Sequence, residues 1–331
     1  MSTYHIYGIG AALVDTEIEV NDNDLATFNI EKGVMTLVDE ARQTELIGLL
    51  SDHLTTSTRA SGGSAANTII GASYFGAKSF YSCKVADDEN GNFYLNDMQE
   101  AGVDTTNTEK ESCITGKCLV MITPDARRTM NTFLGISETV SVNELNIEAL
   151  KASQYAYIEG YLVTSETGKA AAIELRQQAQ ANGIKTAFTL SDPAMVQFFG
   201  DGLKEMIGDK VDLLFCNQDE AMGFTQTDTL NEAVEGLKQY ANEFAITLGD
   251  KGALIYDGSA LIKIAANSIT PVDSNGAGDM FAGAFLYAIT HGYDYTQAGE
   301  LASAASAQVV SQYGPRLRPE QHETVLKRVL G

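Results

Sequence analysis

Asp273-Ser274-Asn275-Gly276-Ala277-Gly278-Asp279 gathers unusual chemistry into one short stretch. Gly276, Ala277 and Gly278 lie between two carboxylates, and the glycines let the backbone turn sharply and a ligand come close. Phe281, Phe285 and Ile289 then recur every four residues, which predicts a helix over 280–289 with one buried face. A Gly-rich turn opening a helix presents unpaired N–H groups and a partial positive charge, an anion site. Asp279 stands where those groups begin. The helix end should hold its pKa low, and its carboxylate can accept a hydroxyl hydrogen bond. An anion hole beside a base suits phosphoryl transfer to an alcohol. A lone Gly-x-Gly-Asp reads first as a helix cap after a loop.

Other segments carry weaker signals of their own. In Ser61-Gly62-Gly63-Ser64-Ala65-Ala66-Asn67-Thr68 two glycines precede a helix, with Asn67 one turn inside it. The plain reading is a tight loop packed on the core. Asp15 reads as a turn carboxylate. Arg127-Arg128 reads as a solvated pair, although a basic pair facing a cleft in so acidic a chain would serve a transferring phosphate. Glu220, three residues after Asn217, could complement a helix N-terminus. Thr247 to Ala253, with Gly249 and Gly252, reads as a hairpin turn.

The elements that must position these residues follow from pattern. A strand over 4–9 ends at Gly8-Ile9-Gly10. The third glycine of a dinucleotide fingerprint would fall at Leu13, so no Gly-rich phosphate loop follows. Alternation suggests half-exposed strands at 17–20 and 36–38. Strands fit 113–122 and 128–134, with a turn at 123–126. A helix runs from the glycine pair to about 75. From 145 onward strands and helices alternate: strands at 155–161, 185–190, 211–216 and 244–248; helices at 166–181 (capped by Ser165), after Pro193, and at 229–240. Repeated βα units imply a mostly parallel sheet with helices on both faces and ligands at its C-terminal strand ends. Residues 298–310 form a helix of small side chains; ordinary helix packing is the plain reading, although such side chains would also let a flat base pack close. Gly314-Pro315 ends it.

Composition limits the function classes. The chain has 331 residues, 44 acidic against 22 basic, and a net charge of −22. That field repels nucleic acid and anionic membranes. No apolar run reaches membrane-span length, and a cytoplasmic protein is expected. Cys83, Cys113, Cys118 and Cys216 lack zinc-site spacing and are expected as reduced, mostly buried thiols. His5, His53, His291 and His322 are scattered and form no ligand or triad pattern.

The heptamer at 273–279 resembles the signature Asp-Thr-x-Gly-Ala-Gly-Asp of the ribokinase-like (PfkB) carbohydrate kinases, with Ser274 in place of Thr. Gly62-Gly63 to Asn67 resembles that family's Gly-Gly-x-x-x-Asn pattern, and its adenosine-kinase and sugar-kinase branch is the most similar. The likeness runs from Asp15 to Gly314. It implies a single three-layer α/β/α domain over 1–331 with a mostly parallel central sheet. A small β-sheet lid would be formed by about 13–38 and 112–134. It implies an ATP-dependent kinase of a primary hydroxyl on a sugar or nucleoside, with Asp279 as base and Gly276, Ala277 and Gly278 as anion hole. By the same resemblance Asp15, Gly62, Gly63 and Asn67 approach the sugar, and Arg128 approaches the phosphoryl group, Asn131 being a weaker candidate. Asn217 and Glu220 act on Mg²⁺ through water. Thr247, Gly249, Gly252, Asp273, Asn275, Ala302 and Ser306 line the nucleotide.

ATP and Mg²⁺ are the implied cofactors, with a monovalent cation such as K⁺ as a further candidate. The protein would be a monomer or a homodimer through the lid. A nucleoside would need an apolar slot, which Phe133, Leu134 or Leu13 could supply. A hexose or sugar acid also fits, while the acidity weighs against a phosphorylated sugar. A dinucleotide-binding oxidoreductase and a non-catalytic binding protein of the same fold are the alternatives. Leu13 argues against the first and the intact heptamer against the second.

Overall fold

The computed structural model describes residues 3–51, 58–106, 110–125 and 127–331. His53 and Ala126, the end of the expected 123–126 turn, lie outside the described residues.

Among the described residues fourteen strands divide between two sheets. The main sheet takes β1 (Ile6–Ile9), β5 (Ser79–Ser82), β6 (Val103–Thr105), β9 (Tyr155–Glu159), β10 (Lys185–Thr189), β11 (Val211–Asn217), β12 (Ala241–Thr247), β13 (Ala253–Tyr256) and β14 (Leu261–Ile264). Its order is β14-β13-β12-β11-β10-β9-β1-β5-β6. All pairings from β12 through β6 are parallel, and β13 and β14 close the other edge as antiparallel hairpins. β1 and β9 are buried along their whole length, as strands covered on both faces must be. One face is covered by α3 (Ser64–Phe75), α10 (Ala277–Thr290), α11 (Tyr295–Val310) and α12 (Pro319–Leu330), around Ile69, Phe285 and Leu301. The other is covered by α6 (Glu166–Ala181), α7 (Pro193–Ile207), α8 (Gln218–Thr225) and α9 (Leu230–Leu237), around Phe188, Leu203 and Phe224. Ser165 caps α6 as its position suggested, accepting from Gly168 N at 2.9 Å.

The second sheet is the lid: β2 (Leu13–Glu19), β3 (Met35–Leu37), β4 (Thr58–Gly62), β7 (Gly116–Ile122) and β8 (Arg128–Phe133), in the order β3-β8-β7-β2-β4. It takes in more chain than 13–38 and 112–134, because β4 pairs antiparallel with β2 and carries the lid to Gly62. The strand expected at 17–20 starts at Leu13, so Asp15 sits in a buried lid strand and not in a solvated turn. Two helices, α1 (Asp22–Thr27) and α2 (Glu40–Leu49), cover the lid's outer face. Leu25 and Leu46 pack there on Ile18, Leu119 and Met121. Neither helix shows a strong periodic stripe in sequence. α4 (Glu89–Glu100) and α5 (Ile147–Lys151) complete the helices.

Candidate active site

α10 begins at Ala277 with Gly276 as its cap, in the left-handed region at φ 71°. A side chain at Gly276 would put its Cβ 2.2 Å from the Pro315 carbonyl, so only glycine lets this turn pack on the loop after α11. The cap has no side-chain partner, and Ala277 N–H reaches only a distant Ser274 carbonyl at 3.4 Å. The first turn of α10 therefore offers its N–H groups to a ligand, as the sequence suggested.

Asp279 lies in that first turn and is gripped from α3. Its Oδ1 accepts from Ser64 Oγ at 2.7 Å and its Oδ2 from Asn67 Nδ2 at 3.1 Å. Asn67 Oδ1 is buried without a partner among the described residues, an acceptor left open beside the Asp279 carboxylate. The low pKa expected of Asp279 is reversed. Burial pushes it above the ordinary aspartate value, and the Ser64 hydrogen bond, the Arg128 charge and the Asn67 hydrogen bond only partly offset this. Enclosure outweighs one helix end.

Three chambers adjoin in series, and this carboxylate lines two of them. The first, about 850 Å³ including its open mouth, lies between lid and main sheet. Its polar floor holds Asp15, Gly63, Ser64, Asn67, Glu159 and Asp279, and Leu13, Met35, Leu37, Met130, Leu134 and Leu162 are among its walls. The middle chamber shares Ser64, Arg128, Ser191 and Asp279 with the first and adds Asn217, Glu220, Gly276, Ala277 and Gly278. The outer chamber shares Thr247, Ser274, Ala277, Gly278 and Phe281 with the middle one. It is completed by Gly249, Gly252, Ser303, Ser306, Ala307, Val310 and the loop through Asn267, Ile269 and Pro271. The trough runs along the C-terminal ends of the parallel strands, where such sheets bind ligands.

Asp15 is 5% exposed, and burial with the neighbouring Glu17 charge raises its pKa to about 8. It faces the first chamber without a hydrogen-bond donor among the described residues. Gly62 lines no chamber. Its missing Cβ would lie 2.1 Å from the Asp15 carboxyl, so this glycine makes room for Asp15. Gly63 is the one that touches the cavity, at φ 97°. Arg128 faces both the first and middle chambers and donates to Asn275 Oδ1 at 3.0 Å, while Arg127 is exposed. Strand alternation in β8 explains the split: Arg128, Met130 and Thr132 face the cleft. Asn131 and Phe133 point to the other face and take no part in the chamber.

Glu220 and Asn217 form a capping box at the start of α8. Glu220 accepts from Asn217 N at 2.9 Å and Nδ2 at 2.6 Å, and burial lifts its pKa to about 7. Among the described residues no three His, Cys, Asp or Glu side chains converge as a metal cage. Glu220 lines the middle chamber with Asp279, and so sparse a carboxylate set fits Mg²⁺ held through water and phosphate oxygens.

Several expected nucleotide contacts fall elsewhere. Asp273 is fully buried, its oxygens taken by Asn275 N at 2.8 Å and Gly314 N at 3.1 Å, so it braces the turn and lines none of the chambers. Asn275 faces the first chamber, not the outer one. Ala302 lies in the core at 0% exposure. The exposed side of α11 runs through Ser303, Ser306, Ala307 and Val310, and Ala302 is rotated off that face. Ser306 lines the outer chamber as expected and donates to the Ala277 carbonyl.

Glu159, Ser64 and Arg316 escaped sequence reasoning. Glu159 ends an apolar strand and carries no motif. Arg316 donates to Asp97 Oδ2 at 3.0 Å and its charge faces Asp15. Cys83, Cys118 and Cys216 are buried and Cys113 is exposed, all free. No helix among the described residues is long and apolar enough to cross a membrane.

The fold and the trough define a phosphotransferase acting on an alcohol of a small molecule. A family model described as pfkB family carbohydrate kinase matches residues 38–322. The chain is 27% identical to an adenosine kinase of Schizophyllum commune over 344 aligned residues, covering 96% of this chain and 98% of that protein. A probable sugar kinase from Rhizobium etli CFN 42 superposes with TM-score 0.92 at 32% identity, covering 99% of each chain. An adenosine kinase from Sinorhizobium meliloti does so with TM-score 0.92 at 30% identity, covering 99% of this chain and 100% of that one. The chain belongs to the pfkB family of carbohydrate kinases, and it is a carbohydrate or nucleoside kinase of the ribokinase-like fold.

Proposed function

We propose that the chain transfers the γ-phosphoryl group of ATP to the primary hydroxyl of a nucleoside of the adenosine type. The observation that carries this is the mixed lining of the first chamber. It offers Asp15, the Asn67 Oδ1 that has no partner among the described residues, and Asp279, together with the apolar side chains of Leu13, Met35, Leu37, Met130, Leu134 and Leu162. A ribose diol suits the polar groups, since a carboxylate accepts two hydroxyl hydrogen bonds. A flat base suits the apolar side chains, for which a simple sugar has no use. The similar adenosine kinases support the same choice.

In this reading Asp15 and Asn67 hold the ribose, and Asp279 orients the primary hydroxyl and takes its proton. Its raised pKa makes it a better base than a solvated aspartate. The N–H groups of Gly276, Ala277 and Gly278 and the Arg128 guanidinium receive charge on the transferring group. ATP lies across the middle and outer chambers, against Thr247, Gly249, Gly252 and Ser306. Mg²⁺, when bound, would neutralise phosphate charge, with Asn217 and Glu220 holding its water. The lid sheet excludes bulk water from the first chamber.

The test is ADP formation from Mg²⁺-ATP against adenosine, other nucleosides, ribose, fructose and 2-keto-3-deoxygluconate. Turnover of a nucleoside well above the free sugars supports the reading. Preference for a free sugar or sugar acid overturns it.

A further inference from the structure

Glu159 stands at the C-terminal end of β9, in the middle of the main sheet, and is 1% exposed. Its Oε1 accepts from Ala11 N at 2.6 Å and its Oε2 from Ala65 N at 2.8 Å. Those amides belong to two different passages between body and lid. Ala11 lies on the passage from β1 to β2, the strand that carries Asp15. Ala65 lies in the first turn of α3, just after the passage from β4, and α3 carries Ser64 and Asn67. The α3 cap, Gly63, supplies no side-chain hydrogen bond, and the first turn of α3 has no acidic residue. A carboxylate from another strand does that work, favourably placed at a helix N-terminus.

The surroundings leave the carboxylate no other place. A Cβ at Gly10 would lie 2.5 Å from the Glu159 carboxyl carbon. A third passage is tied in as well: Ser137, just after β8, accepts from Ala12 N at 3.1 Å and donates to the Ala12 carbonyl at 2.8 Å. One buried carboxylate on the rigid sheet thus anchors the strand entries from which both ribose-facing residues extend.

We propose that Glu159 is a positioning residue for the acceptor substrate, a staple at the lid hinge that holds β2 and α3 in register so that Asp15 and Asn67 meet the same molecule. This rests on the reading that the first chamber takes the alcohol. Neither the middle nor the outer chamber, across which the nucleotide lies in this reading, is lined by Glu159, so the nucleotide should not sense its loss.

The experiment compares wild type with Glu159→Gln, which keeps size but turns an NH₂ group toward one of the two amides. Michaelis constants for adenosine and ATP are measured beside amide hydrogen exchange at Ala11 and Ala65 in the ligand-free protein. The staple predicts a rise in the adenosine constant of about 10-fold or more, as misplacement on this scale costs. The ATP constant should stay within about twofold, with faster exchange at both amides. Gly10→Ala keeps the glutamate but pushes its carboxylate aside, and it must give the same pattern should the first variant fold poorly. Unchanged constants and unchanged exchange overturn the proposal. So does an equal rise in both constants with a lowered melting temperature, the mark of a merely structural role. If wild type turns over no nucleoside, the functional reading falls. Exchange at the two amides still decides whether the staple holds the hinge.

Discussion

Asp279 stands under two opposed influences, a helix N-terminus that favours its charge and an enclosure that opposes it. Enclosure wins, and the pKa moves up. Asp279→Asn keeps the shape and the Ser64 and Asn67 neighbours but removes the base. It should lower kcat by about 10²-fold or more, or about 2.7 kcal/mol of barrier. Because the ionised form is the active one, kcat/KM should fall on the acid side with an apparent pKa above the ordinary 3.8. Asp15 makes a separate prediction. Its pKa near 8 means that the free chain carries its proton at pH 7, while ribose hydroxyls hydrogen-bond best to the ionised form. Adenosine binding at pH 7 should therefore release a proton. Calorimetry in buffers of different ionisation enthalpy reads that proton, and Asp15→Asn should abolish it.

At the scale of elements, Gly62 separates packing from ligand contact. Gly62→Ala drives a methyl into the Asp15 carboxyl. It should raise the adenosine Michaelis constant by roughly 10-fold or more and leave that for ATP nearly unchanged. Initial-rate kinetics with each substrate varied in turn reads both. The elements also show what sequence could reach. The βα alternation after residue 145, the cap at Ser165, the hairpin at Gly249 and Gly252 and the Gly-rich turn that opens a helix at 276–278 were legible, because each depends on local pattern. The lid was legible only in part. β4 is defined by its partner β2, and α1 and α2 are held by the lid sheet they cover. Ala302 and Asn275 were misplaced because a motif gives position along the chain but not the direction of a side chain on its helix or turn. Glu159 was invisible because its meaning lies in two amides 148 and 94 residues away.

For the whole molecule, several buried carboxylates have raised pKa values, among them Asp15 to about 8, Glu159 to about 7 and Glu220 to about 7, from 3.8, 4.5 and 4.5, with Asp273 and Asp279 raised in the same direction. The folded chain holds these protons more tightly than the unfolded chain. The stability contribution of the first three is complete at low pH and is lost as pH rises through about 7 to 8. His322, lowered from 6.5 to about 4 by burial, opposes this only below pH 6.5. The ligand-free melting temperature should therefore rise from pH 8 to pH 6, read by calorimetry. The lid's outer face is already covered by α1 and α2 through Leu25 and Leu46, so its strands are not open to a lid-to-lid clasp, and of the large apolar side chains on β3 and α2 only the scattered Leu37, Ile47 and Leu49 stay exposed. Light scattering coupled to size exclusion should give a monomer near 35.5 kDa. A dimer would mean that another face joins the copies.

The most direct measurement follows the product of adenosine and Mg²⁺-ATP with wild type and with Asp279→Asn side by side. Wild type should give stoichiometric ADP and nucleoside 5′-monophosphate, and the variant a rate lower by about 10²-fold or more. Equal rates in the two proteins would contradict the role of Asp279. No nucleoside monophosphate from wild type, with a free sugar phosphorylated in its place, would contradict the reading of the first chamber.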